Sequence, residues 1–147
     1  MFTDNEMTLD QFAAEIHPRT ITGYLIDVQN ETHGPRTILK ELKEYYALLG
    51  CRLIEMPTRR IGVRNGRRYT IICDEEGLFA EQPKTSAIDN LGQPMLVGNL
   101  FIVKVDEEGN TVGLDPDDIK YLERFVLLQG THKFPRPYPM LHQCEYA

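Results

Sequence analysis

The chain has no tryptophan and only three cysteines, at positions 51, 73 and 144, with no CxxC pair among them. That odd, scattered set argues against a disulfide-stapled secreted scaffold, and reduced thiols are expected. Basic residues are outnumbered, 16 against 22 acidic ones, for a formal net charge of -6. Such a balance disfavours a protein whose whole surface engages nucleic acid or an anionic membrane. No apolar run approaches the roughly 18 residues that a bilayer span needs. The N-terminus MFTDNEMTLD is acidic where a signal peptide is basic, so a cytoplasmic protein is expected. The chain also lacks a GxSxG elbow, a GxxxxGK[ST] phosphate loop, a GxGxxG fingerprint and an HExxH pair, which removes the common local signatures of hydrolases, nucleotide enzymes and zinc proteases. His132, His142 and Cys144 form a metal set only if tertiary structure gathers them, and Glu75 with Glu76 sits in a turn where hydration is the simpler role. No catalytic residue, metal ligand or cofactor is assigned.

What is present suits one domain. With 147 residues and 41% apolar side chains, the chain supports a single core that buries roughly two-thirds of the unfolded surface. Thr8 and Gln11 form a capping box around a helix with Leu9, Phe12, Ala13 and Ile16 on one face, and Pro18 stops it. Ile21, Tyr24, Leu25, Ile26 and Val28 read as a strand because branched and aromatic side chains fit a pleated surface. QNETHGPRT follows as a polar turn. A helix is then expected from about Thr37 to Leu49, with Ile38, Leu42, Tyr45 and Leu49 on its stripe and Gly50 as its breaker. CRLIEM is a short strand. Asn65-Gly66 turns a hairpin whose return strand is Arg68 to Cys73, and Leu78 to Ala80 is a further short sheet element. Glu81 to Pro94 reads as the main loop, and strands resume at Met95–Val97 and Leu100–Val105. Asp115, Pro116 and Asp118 start a second helix that carries Ile119, Leu122, Phe125 and Val126 to about Leu128. Pro135, Pro137 and Pro139 favour an extended C-terminal arm. Its Phe134, Tyr138, Met140 and Tyr146 either cover the same subunit or anchor a homodimer. The expected fold class is α+β: a compact mixed or antiparallel sheet packed by two main helices. An N-terminal helix over 1–20, a core over 21–129 and a proline-rich arm over 130–147 complete the division.

The sharpest feature is the charge of residues 52–70. Arg52, Arg59, Arg60, Arg64, Arg67 and Arg68 are opposed there only by Glu55, a formal charge of +5 that leaves -11 for the rest of the chain. Guanidinium groups grip phosphate oxygens with paired donors, while the acidic remainder repels extended polyanions. The pattern points to a compact anionic or nucleotide-like ligand held by Arg59, Arg60, Arg64, Arg67 and Arg68, with Tyr69 placed either to stack on a base or in the sheet core. The plainer reading is a solvated basic hairpin neutralised by Glu55, Asp74 and Glu75. A second surface lies in residues 103–124, where seven acidic residues face three basic ones and can steer a basic protein partner.

From about Ile21 to Val126 the chain resembles the DUF3846 family of small domains common in phage and mobile-element genomes. The resemblance rests on GYLIDVQN, TILKELKEYYALLGC, RLIEMP, IICDEEG, MLVGNLFIVKVDEEG and LDPDDIKYLERF. It implies a compact domain in a phage setting within an infected bacterial host, and it carries no catalytic residues. The arginine-rich TRRIGVRNGRR, set between RLIEMP and IICDEEG, departs from the familiar pattern. Together these features suggest a non-enzymatic phage accessory protein that binds a small anionic or nucleotide-like ligand, in keeping with anti-defence sequestration of a host signal. The rival is an acidic inhibitor or adaptor directed at a host or defence protein.

Overall fold

In a computed structural model that describes residues 19–147, the chain folds mostly as β-structure. The helix expected around TLDQFAAEI lies outside the described residues. Strand β1 (Thr20–Asp27) pairs along its whole length with β2 (Thr32–Leu39). Helix α1 (Leu42–Leu49) follows, ended by Gly50 at a left-handed φ of 65°. Next come β3 (Ile54–Glu55), β4 (Thr58–Ile61), β5 (Arg67–Asp74), a 3-10 turn (Gly77–Phe79), β6 (Thr85–Ile88), β7 (Pro94–Val97), β8 (Leu100–Val105) and β9 (Thr111–Val112). Helix α2 (Pro116–Glu123), β10 (Val126–Gln129), β11 (Tyr138–Leu141) and β12 (Cys144–Tyr146) complete the chain.

Two sheets result. The larger has the order β12-β4-β5-β8-β1-β2, with β3 added to β5 and β9 to β8; the smaller has the order β10-β11-β6-β7. All pairings are antiparallel except β11 on β6. Strand alternation puts Tyr69, Ile71 and Cys73 into the larger core, shared with Leu122 of α2 and with Met140 and Leu141 of β11. Ile72 points the other way, joining Leu25, Phe101, Tyr45 and Leu49 in a smaller core beneath α1.

The α+β expectation is therefore corrected: the described chain has two eight-residue helices, and its main core lies between sheets. Each over-long helix has an identifiable cause. Ile38 matches the stripe of α1 by spacing, yet it sits on β2 and reaches the same small core from the strand. Gly34 and Pro35, which read as a turn, occupy an edge strand, where the missing proline amide leaves no ladder donor unmet. The turn itself falls earlier, where the carboxylate of Asp27 accepts from the backbone of Gln29 and Asn30 at 3.0 and 2.8 Å. At the other end, Phe125 and Val126 continue the stripe of α2, but the chain turns after Glu123 and Val126 opens β10. The expected start of α2 does form as a reciprocal capping box. The backbone amide of Asp118 donates to Asp115 Oδ1 at 2.8 Å, and that of Asp115 to Asp118 Oδ2 at 3.2 Å.

Three further segments differ from expectation. The loop over residues 81–94 contains β6, Leu78 and Phe79 form a 3-10 turn, and the C-terminal arm supplies a strand to each sheet. Tyr138 and Met140 are enclosed within their own chain, so they are not free dimer anchors, while Phe134 packs against the larger core. Among the described residues no helix is long and apolar enough to cross a membrane.

Candidate functional site

The hairpin forms around Asn65, whose φ is 51°, but its loop runs from Gly62 to Gly66. Gly66 is required there because a Cβ would collide with the carbonyl oxygens of Gly62 and Ile61. The register then decides where each arginine points. Thr58 lies opposite Thr70, Arg59 opposite Tyr69, Arg60 opposite Arg68, and Ile61 opposite Arg67. Directly opposed residues share a face, and faces alternate along each strand. The arginines expected to converge are thus divided. Arg59 and Arg67 fall on the face turned toward the larger core, Arg60 and Arg68 on the opposite face, and Arg64 at the exposed loop tip.

On the core side the cations are already engaged. Arg67 donates to Asp117 Oδ2 at 2.9 Å and lies 4.3 Å from the centre of the Tyr121 ring. Arg59 lies over Tyr146 at 4.9 Å and donates to the carbonyl of Thr58 at 3.0 Å. Tyr69 is 1% exposed and its hydroxyl donates to Asp118 Oδ1 at 2.9 Å, so its ring is structural and closed to a base. Burial, then the neighbouring Asp118 carboxylate, pushes that phenol far above its ordinary value. Arg52, outside the hairpin, makes a two-point pair with Glu76 at 2.8 and 3.2 Å. The neutralising partners are thus Asp117 and Glu76.

The opposite face holds a smaller group: Arg60 and Arg68 side by side across the strands, with Thr58 and Thr70 the next pair along. A shallow depression of about 210 Å³ is lined by Thr58, Arg68, Tyr69, Thr70 and Val105. One guanidinium nitrogen of Arg60 is fixed by the carbonyl of Gly66 at 2.9 Å. Neither Arg60 nor Arg68 has an acidic partner among the described residues. Glu145 stands opposite Arg60 on β12, but its carboxylate accepts the amide of Asn90 at 2.8 Å. Like charges placed directly across two strands repel, and an anion lying between them converts that repulsion into paired attraction. Thr58, Thr70 and Val105 were not anticipated. The alternation on either side of the loop was their available signal, since i and i+2 share a face.

Other chemistry is spoken for. A larger cavity, about 440 Å³, lies at the far end of the sheet between Asp27, Asp74, Asn99 and the end of α1. Four of the stretches that carry the family resemblance meet there, and their polar side chains are used to hold backbone: Asn99 Oδ1 accepts the amide of Val28 at 2.9 Å and Asp74 accepts that of Glu76 at 2.8 Å. Burial raises the thiols of Cys73 and Cys144 to about 12. Cys144 is fully enclosed, because β12 is a strand of the large sheet and not a loose tail. Among the described residues no three His, Cys, Asp or Glu side chains gather as a metal set.

Neither curated proteins nor solved structures give a match. A family model does: the domain of unknown function DUF3846 matches residues 21–126. That span begins in β1 and ends at the first residue of β10, taking in both helices and all of the large sheet except β12. The chain belongs to the DUF3846 family.

Proposed function

We propose that this is a non-enzymatic accessory protein of a phage or mobile element that holds a compact anionic or nucleotide-like ligand on the Arg60–Arg68 face and sequesters it from a host defence pathway. The observation that carries the reading is the cross-strand arginine pair without an acidic partner among the described residues, beside two threonine hydroxyls and the apolar shoulder of Val105. Two guanidinium groups offer phosphate oxygens paired, charge-assisted donors. The depression is smaller than a drug-sized pocket, and so it fits a phosphate-bearing group better than an enclosed base. The net -11 of the chain outside residues 52–70 discourages a long polyanion from following it in. Calorimetric titration with pyrophosphate, ADP and a cyclic dinucleotide tests this. Saturable binding should weaken about ten-fold or more in Arg68→Ala or Arg60→Ala, since a hydrogen bond to a charged group contributes about 1.5–3 kcal/mol. Arg59→Ala, on the other face, should bind normally. Equal affinity in all variants, or no saturable binding of any probe, removes the reading.

A protein-directed role has its own observation. The acidic start of α2 is committed internally, Asp117 to Arg67 and Asp118 to Lys104 and Tyr69, so it is a poor interface. The 3-10 turn is different: Leu78 and Phe79 are 75% and 87% exposed and flanked by Glu75 and Glu81. Exposed apolar side chains rimmed by acids suit an apolar pocket with a basic border. Phe79→Asp should leave the melting temperature unchanged and abolish capture of a defined host protein; capture that survives the change counts against this surface.

A further inference from the structure

Strand register builds a polar row beside the small core. Ile72, Phe101 and Leu25 stand abreast on β5, β8 and β1 and pack beneath α1. Two residues along, the same face carries Asp74, Asn99 and Asp27. The cavity of about 440 Å³ lies over this second row, lined also by Lys84 and by residues 47–50 at the end of α1. We infer that this cavity is a second binding site, for a small zwitterion of the amino-acid class with an apolar side chain. Its carboxylate lies on Lys84 and Asn99, and its ammonium lies between Asp74 and the C-terminal end of α1.

Three side chains there are each held through one bond and keep further bonding capacity. Asn99 Oδ1 accepts the amide of Val28 at 2.9 Å, which fixes the orientation of its amide and leaves Nδ2 as a donor. Lys84 donates to the carbonyl of the same Val28 at 3.3 Å, with its ammonium 5.3 and 5.2 Å from the ring centres of Phe134 and Tyr138. Both donors are tied to one residue and so stand together. Asp74 Oδ1 accepts the amide of Glu76 at 2.8 Å, and its Oδ2 has no partner among the described residues. All three side chains are half-buried, ordered without being sealed. Although the cavity holds charges of both signs, neither Lys84 nor Asp27 nor Asp74 forms an ion pair among the described residues. A ligand that carries both signs satisfies this wall better than a single ion does. A phosphate-like dianion meets two carboxylates and the partial negative charge of a helix C-terminus, whose last carbonyls have no intrahelical partner. A bare cation meets Lys84. The spacing agrees: β5 and β1 are two strand spacings apart, roughly 10 Å. Two charge-assisted hydrogen bonds of about 2.8 Å leave roughly 4 Å, near the separation of ammonium and carboxylate on one α-carbon. The cavity exceeds that head group, and Leu48, Ala80 and Pro83 supply apolar wall for a side chain.

The site is separate from the Arg60–Arg68 face and does not depend on the ligand assigned there. The test is a titration of the isotope-labelled full chain, read by its amide spectrum, with leucine, methionine and phenylalanine. N-acetyl-leucine, which lacks the ammonium, and isoamylamine, which lacks the carboxylate, serve as truncated probes. An apolar amino acid should shift the amides of Gly50, Gly77, Gly98 and Asn99 saturably. Both truncated probes should bind about ten-fold or more weakly, since each forfeits a charge-assisted contact. Asp74→Asn and Asn99→Asp keep the acceptor for the bonded backbone amide and change the free atom, and Lys84→Met removes the cation; each should weaken binding about ten-fold. Lys120→Met, on the exposed side of α2, should bind as the wild type does. Lys84→Met leaves both side-chain bonds to backbone amides in place, so it decides the matter if melting shows either of the other two variants to be unfolded. No saturable shift at these amides up to about 10 mM amino acid, equal binding of either truncated probe, or unchanged affinity in Lys84→Met overturns the proposal. Saturable shifts there with pyrophosphate and none with leucine give the cavity to an anion and overturn it as well.

Discussion

Asp118→Ala should destabilise the protein by about 3–5 kcal/mol, the cost of removing one partner from a buried charged group. The carboxylate is nearly enclosed and holds four neighbours. Oδ1 accepts from Tyr69 at 2.9 Å with Arg67 at 3.7 Å, and Oδ2 accepts from Lys104 at 2.6 Å and from the amide of Asp115 at 3.2 Å. Alanine leaves the buried Tyr69 hydroxyl without its acceptor, loosens Lys104 and opens the capping box that starts α2. For a chain of this length the melting temperature should fall by about 10 °C or more. The same group sets a pH dependence. Burial on its own raises the Asp118 pKa, but hydrogen bonds from Lys104, the Asp115 backbone and Tyr69, with the charge of Lys104, override burial and hold it below the usual carboxylate value. A depressed folded pKa stabilises fully above the unfolded value, about 3.9, and that stability is lost as pH falls through the folded value. Denaturant melts should therefore show wild-type stability dropping below about pH 4 more steeply than that of Asp118→Asn. Parallel acid limbs, or an alanine variant that melts within a few degrees of wild type, contradict this account.

The strands legible in the sequence are those whose neighbours add nothing new. β1, β5 and β8 are buried runs of branched and aromatic residues, and their own composition is sufficient. β2 was hidden because an edge strand tolerates Gly34 and Pro35, the residues that elsewhere announce a turn. Its eight pairs with β1 come from tertiary placement. β6 and β11 were hidden for a related reason: Thr85–Ile88 and Tyr138–Leu141 are short, and their one parallel pairing joins segments about fifty residues apart. Helix lengths were overestimated because apolar residues at i+3 and i+4 also occur where a helix hands over to a strand that faces the same core. Local chemistry was safer than periodicity. Asp115-Pro116 with Asp118, Gly50 and Asn65-Gly66 each perform the role that their backbone preferences suggest.

The site was legible as charge and illegible as geometry. Six arginines in residues 52–70 establish a positive region whatever the fold. Which of them share a face depends on the number of residues in the loop, because shifting a strand by one residue exchanges its faces. With Gly62–Gly66 as the loop, Arg60 pairs with Arg68, and Tyr69 goes inward to Asp118. The partners of the remaining cations are distant in sequence: Asp117 is 50 residues from Arg67, and Tyr146 belongs to the arm. No local pattern connects them.

Ending the chain at Gly130 should abolish cooperative folding, the largest effect expected of any change considered. The arm reads as an appendage because of its prolines, yet the whole of β11 is buried and Cys144 of β12 is fully enclosed. Removing Tyr138, Met140 and Leu141 takes three core side chains away at about 1.5–3 kcal/mol each, a sum that approaches the 5–15 kcal/mol typical of a whole domain. The backbone losses act in the same direction. Among the described residues β10 loses its one partner and β6 its parallel neighbour, so the smaller sheet shrinks to the β6-β7 hairpin, and a lone hairpin is marginal in water. The amide of His142, which donates to Phe125 at 2.7 Å, and the carbonyl of Gln143, which accepts from Gly62 at 2.9 Å, also disappear, releasing the end of α2 and the arginine hairpin together. The shortened chain should show no sigmoidal thermal transition, a weak near-ultraviolet circular dichroism signal and strong binding of a hydrophobic dye. Removal of residues 145–147 alone deletes the exposed Tyr146 and spares the buried strand, so that chain should still melt cooperatively. A protein ending at Gly130 that unfolds in one sharp step near the full-length temperature would show that the two sheets close without the arm.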